Sequence, residues 1–236
     1  NFIQDTPKGQ HQARNRAQNM SILLSLKIIL SCPQTWINAF YAGFLFGPTA
    51  VIGEAIGPAY LQFGRGLGAH AAAFATGLIF IGWGISGPLS GWLSDRLGRR
   101  KPLMIISAFC GVILTTIFVY SPNITTNWAY FIFFVFGLTN TGVAISYAVS
   151  TELHKRNVVG TSIAFTNMIS IFVGASLQPL VGRLVDMVSG NRGFNVETLL
   201  LSDFQAGLKL LPFCSLIALV LAFLVKETYC KPVQPE

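Results

Sequence analysis

Six long apolar runs leave this chain little choice of solvent. They fall at residues 34–56, 71–93, 102–120, 128–150, 159–185 and 204–225. Each is close to the roughly 20 residues a helix needs to cross the hydrocarbon core of a bilayer. In that medium backbone polar groups must be satisfied within their own segment, so each run is read as a helix. The expected fold is an all-α membrane protein, with one six-helix bundle over 31–230. Composition agrees, because charged residues are only 11% of the chain against about 25% in a soluble domain. The net charge of +7 is then a matter of loop topology, and no nucleic-acid partner is inferred from it.

The second and third runs are joined by a short, strongly basic stretch, 91–101, that contains Gly91, Asp95, Arg96, Gly98, Arg99, Arg100 and Lys101. Positive loops resist translocation, so this is a helical hairpin with a cytoplasmic turn. Gly91 is expected to let helices approach closely, and Gly98 to permit the reversal. Asp95 can neutralise the N-terminus of a neighbouring helix. The arginines can pair with acids at adjacent helix ends or with lipid phosphates. A plain topogenic loop, its charges in water, is the alternative.

The spacing G-x-x-x-D-R-x-G-R-R-K resembles the signature loop of the major facilitator superfamily of secondary transporters. The chain as a whole resembles the C-terminal half of a 12-helix, bacterial-type member. That resemblance implies a conformational latch built from Gly91, Asp95, Arg96, Gly98, Arg99, Arg100 and the acid Glu152, which ends the fourth run. It also implies an N-terminal six-helix half of the same polypeptide as partner, a small-molecule substrate and a surrounding lipid bilayer. No cofactor, metal or catalytic residue is expected. The chain opens on Asn1 and shows no signal-peptide pattern, so it is read as part of a longer polypeptide. Residues 1–30 are then the linker between halves, with 21–31 an interfacial amphipathic helix, and 231–236 a cytoplasmic tail.

Orientation follows from the basic residues. With the N-terminus in the cytoplasm, only Arg65, Arg183, Arg192 and Lys209 of the 16 Lys and Arg residues fall on the far side. Both termini are therefore expected in the cytoplasm of a multi-pass protein of the bacterial inner membrane.

Polar residues inside spans are costly, so their distribution is informative. The third and sixth runs are nearly free of them and read as scaffold. The first, fourth and fifth are richer, as helices lining an aqueous cavity would be. Asn140 lies near the middle of the fourth run, and its spacing puts Ala144 and Tyr147 on the same helical face. The expected substrate contacts are Asn140, Tyr147, Tyr41, Asn167, Thr141 and Trp83. Each Asn or Thr could instead bond across helices, and Trp83 could face lipid. Glu54, near the outer mouth, is the proton-coupling candidate or an ionised acid at the interface.

The resemblance favours an amino acid or organic anion as substrate, carried by alternating access with proton coupling. Many sugar-transporting members place an arginine six residues after the acid corresponding to Glu152, where this chain has Val158. The competing function is a membrane sensor that keeps the fold without transporting.

Overall fold

A computed structural model describes residues 21–190 and 196–232. Residues 1–20 of the expected linker 1–30, Arg192 and the last four residues of the expected tail lie outside the described residues. A short helix, α1 (Ile22–Leu30), precedes six helices long and apolar enough to cross a membrane. These are α2 (Pro33–Gly64), α3 (Ala69–Leu97), α4 (Lys101–Tyr120), α5 (Thr126–Glu152), α6 (Val159–Ser189) and α7 (Leu201–Leu224).

Each span matches an apolar run, and most differ by one to four residues at each end. The exception is α2. The first apolar run ends at 56, which leaves 57–70 as the expected connection. The helix instead continues to Gly64, leaving only a short turn before α3. Pro33 starts it at the first turn, where its missing N–H costs nothing. Pro48 lies inside and does not break it. The helix widens into π-helical turns at Ala50–Ile56 and Tyr60–Gly64. Such turns absorb the carbonyl that a proline or glycine leaves awkwardly placed.

α2 packs along α6, α3 along α5, and α7 against both α4 and α2. The closest approach is between α3 and α5. A Cβ on Gly82 would lie 2.5 Å from the Phe134 carbonyl, and one on Gly137 would overlap the Ile79 carbonyl. The expectation that Gly91 makes such a contact is not met within this chain, since nothing lies within 4 Å of where its Cβ would be. Nothing in this chain packs on the Gly91 face of α3, whereas Gly82 and Gly137 lie where α3 and α5 meet backbone to backbone.

Tyr60, Phe118, Phe133 and Phe204 form an aromatic cluster at one end of the bundle. Arg65 closes that end. It donates to the Tyr60 hydroxyl at 2.7 Å and to the Ser121 carbonyl at 2.6 Å, placing a cation on the negative C-terminus of α4. A second core at the opposite end contains Tyr41, Met104, Val149 and Ala222. Many large apolar side chains are left exposed, including Phe74, Ile81, Ile85, Leu89 and Trp92 along α3 and Phe172 on α6. That surface is suited to lipid or to another apolar helix, not to water.

Candidate functional site

The basic loop is built by the end of α3. Gly98 has φ +62°, in the left-handed region, and the amides of Gly98 and Arg99 turn back onto the carbonyls of Asp95 and Ser94. This is the glycine-terminated helix end expected from the sequence. It aims Arg100 inward. The Arg100 guanidinium meets Asp95 at 2.7 Å and Glu152 at 2.7 Å, and also donates to the Ser94 hydroxyl at 2.9 Å. Arg100 and Glu152 are both buried, whereas Asp95 is largely exposed. Burial alone would lower the Arg100 pKa, but its hydrogen bonds and the charge of Glu152 outweigh that and raise it.

Of the three arginines able to pair with an acid at an adjacent helix end, the partner of Glu152 is Arg100, not Arg96 or Arg99. The turn at Gly98 directs those two side chains outward, Arg96 over the Trp92 ring and Arg99 over the Tyr229 ring. Nor does Asp95 cap a neighbouring helix. The N-terminus of α4 is capped by Glu227, which accepts from the Arg100 amide at 2.8 Å and the Lys101 amide at 3.1 Å. Thr228 adds a hydroxyl donated to Glu152, and Cys230 a thiol against the Ser94 carbonyl at 3.5 Å. The strap 227–230 thus completes the network. Sequence reading missed it because its partners are more than 70 residues away; the charge of Glu227 directly after α7 was the only cue.

The candidate substrate residues divide into open and closed groups. Tyr147 on α5 donates to Asn167 on α6 at 2.8 Å, on an exposed face. Thr141 and Trp83 are half-buried, and the Trp83 ring lies tilted at 35° to Phe46 with centroids 6.0 Å apart. Tyr41 is fully buried and donates to the Met104 carbonyl at 2.9 Å. Asn140 is buried and donates to the Thr49 hydroxyl, leaving its own Oδ1 without a partner. Asn140 and Tyr147 meet different neighbours, Thr49 on α2 and Asn167 on α6, and α5 is interrupted between them. Thr126–Thr139 and Gly142–Glu152 are separate helical segments, joined by a turn at Asn140 and Thr141. Short polar side chains in series compete with the helical bonds there. One hydroxyl of α4 receives the freed groups: Ser107 donates to the Thr139 carbonyl at 2.5 Å and accepts from the Gly142 amide at 2.9 Å.

Other polar residues form a buried seam. Asn38 donates to the Ser146 carbonyl and the Ser150 hydroxyl, and Ser150 meets Thr166 at 2.8 Å, joining α2, α5 and α6. At the other end, the amide of Gln178 donates to the exposed Glu54 at 3.3 Å and to the Ala50 carbonyl at 3.2 Å. Among the described residues, no three His, Cys, Asp or Glu side chains gather as a metal site would require.

Six membrane-length helices with a buried Arg–Glu clasp at one end place the chain among helical membrane bundles. Residues 2–179 match the family model of the Major Facilitator Superfamily, and the chain belongs to that superfamily. It is similar to the inner membrane metabolite transport protein YhjE of Escherichia coli (strain K12), 29% identical over 122 residues, which are 50% of this chain and 27% of that protein. It is also similar to the MFS-type transporter YcxA of Bacillus subtilis (strain 168), 28% identical over 146 residues, 60% of this chain and 35% of that one. The matches thus span about a third or less of these relatives' lengths. The inward open xylose transporter XylE from E. coli shares the fold, with a TM-score of 0.60 at 21% identity, covering 86% of this chain and 48% of that one. Its partially occluded inward open form gives 0.61 at 19% identity. At such identities the likeness is one of fold.

Proposed function

We propose that this chain is the C-terminal six-helix half of a proton-coupled secondary transporter. It moves a small polar metabolite, of the amino acid or organic anion class, across the bacterial inner membrane by alternating access. Membership of the superfamily supports transport, and the likeness to the E. coli inner membrane metabolite transport protein supports a metabolite at an inner membrane. The observation that carries the site is the Tyr147–Asn167 pair. It is a phenol and an amide held together on an exposed face between α5 and α6. In this reading an N-terminal half supplies the facing wall, residues 1–30 link the halves, and both termini are cytoplasmic.

Tyr147 and Asn167 contact substrate first, with Trp83 and Thr141 beside them. Asn140 and Tyr41 reach it only when their present bonds to Thr49 and Met104 open. Glu54 takes the proton, steadied by Gln178. Arg100, Glu152 and Asp95 hold the cytoplasmic side shut, with Arg96 and Arg99 flanking them and Gly91 and Gly98 shaping the turn. The xylose carrier's fold does not bring its substrate with it. Val158 is buried, and Glu152 is already engaged by Arg100, so an arginine at 158 is not what holds that acid.

The test is flux. The full-length protein in proteoliposomes, offered labelled amino acids and organic anions under an inward proton gradient, should accumulate one class above protein-free vesicles. Folded protein that moves none of them would favour the sensor reading.

A further inference from the structure

We propose that the groove where the start of α4 meets the strap 227–230 is a binding site for the headgroup of an anionic phospholipid. The groove has a volume of about 490 Å³, and its lining includes Arg99, Lys101, Ile105, Ile106, Glu227 and Tyr229. The proposal needs only that the six helices span a bilayer, and it is independent of what the protein carries.

Four observations carry it. First, the groove carries net positive charge, with Arg99 and Lys101 against one carboxylate. Glu227 is its one acid, and that carboxylate is occupied by the backbone amides of Arg100, Lys101 and Thr228 at 2.8–3.1 Å. The ion pairs among the described residues both belong to Arg100, so Arg99 and Lys101 have no carboxylate at salt-bridge distance. Arg99 is exposed, and Lys101 donates to the Phe223 carbonyl at 2.6 Å, which neutralises none of its charge.

Second, the groove is walled on one side by apolar helix. Ile105 and Ile106 continue it along α4, and Ile106 faces outward, 56% exposed. Cations above and an open apolar wall below are the order of groups in a phospholipid. Free phosphate would use only the upper part.

Third, Tyr229 is held in place at a cost. Tyr229 and Cys230 have φ of +53° and +56°, consecutive left-handed positions without a glycine. Such backbone persists only where its surroundings enforce it. Here Glu227, Thr228 and Cys230 are all tied down, and the Tyr229 ring is set beneath Arg99, 6.0 Å from Cζ to centroid. A tyrosine with an arginine at the end of a span is the pairing that sits at headgroup level.

Fourth, the location fits a lipid. α4 and α7 pack on each other and expose Ile106, Phe109, Phe213, Val220 and Phe223, so an acyl chain leaving the groove stays on apolar surface.

Each basic residue near a membrane surface contributes about fivefold to the affinity for anionic lipid. Delipidated full-length protein, titrated with phosphatidylglycerol and with phosphatidylcholine, is read by native mass spectrometry and by the shift in unfolding temperature. Wild type should bind phosphatidylglycerol preferentially. R99Q should weaken that binding about fivefold, and Y229A should weaken it too, whereas R96Q, whose side chain lies over Trp92 outside the groove, should change it little. K101Q is expected to act like R99Q, but R99Q and Y229A decide the matter should K101Q fail to fold. Equal binding of phosphatidylcholine, or equal loss in R96Q and R99Q, would overturn the site in favour of diffuse charge. Full displacement of the lipid by millimolar inorganic phosphate would overturn the lipid assignment.

Discussion

Arg100 grips Glu152 through both Nη2, at 2.7 Å, and Nε, at 3.1 Å, with each side chain less than a tenth exposed. A basic loop between two helices is thereby bonded to the end of a third. Losing one member of such a buried pair strands the other, at a cost of about 3–5 kcal/mol. Glu152→Ala is expected to lower the unfolding temperature in detergent sharply. Replacing both residues with apolar ones should cost less than either single change, and a double-mutant cycle measures the difference.

Asp95 is the exposed partner of the same arginine, so its role is expected in the conformational equilibrium more than in stability. Asp95→Asn should reduce transport turnover with a smaller effect on apparent affinity, because it removes a contact made in one global state. Normal turnover in a folded Asp95→Asn protein would reduce the loop to a topology signal.

His154 follows α5 and is buried, with Nε2 2.7 Å from the Thr35 hydroxyl. Burial lowers its pKa below the ordinary value of 6.5. The unfolded chain therefore binds the proton more readily than the folded one, and stability rises with pH in this range. The contribution is complete above about pH 6.5 and is lost as pH falls through the lowered folded value. Unfolding temperatures between pH 8 and 5 should fall more steeply in wild type than in His154→Gln.

The pocket assignment rests on the exposed pair. Asn167→Ala and Tyr147→Phe should each weaken substrate binding by roughly five- to a hundredfold, for a lost hydrogen bond of about 1–3 kcal/mol. Thr116 on α4 is exposed and bonded only to its own helix, so Thr116→Ala should leave binding unchanged. Isothermal titration on the full-length protein separates the two, and matching losses would place the pocket elsewhere.

Cysteine labelling tests orientation, and the structure changes the choice of site. Ser94 lies at the expected cytoplasmic end but is fully buried, so a cysteine there would be protected whatever the topology. Positions 96 and 155 are exposed. Cysteines there should react with an impermeant maleimide only after the membrane is opened, and one at 123 should react in intact cells.

The spans were legible because a bilayer imposes one rule on every residue of a crossing helix. The end of α3 was legible too, since Gly98 is a local signal. What escaped was non-local or depended on a small change of register. Nothing around Asn140 signals that Ser107, on another helix, will accept a break there. A regular helical repeat places Asn140 above Tyr147, and the break falls between them. The strap was hidden for the same reason, and so was the partner of Glu152. A turn of three residues decides which of Arg96, Arg99 and Arg100 points inward, and spacing alone does not encode that direction.

The widened turns of α2 bear on how this helix can tolerate insertion and deletion. In a regular helix, removing one residue rotates everything beyond it by about 100°, which would carry Tyr60 and Arg65 away from α4. A π-helical turn already holds one residue more than an α-helical turn. A single deletion within 50–56 can therefore tighten that turn to α-helical geometry and leave the far end facing as before. The stretch is a reserve of slack in the reading of the helix, and length variation among related chains should gather there.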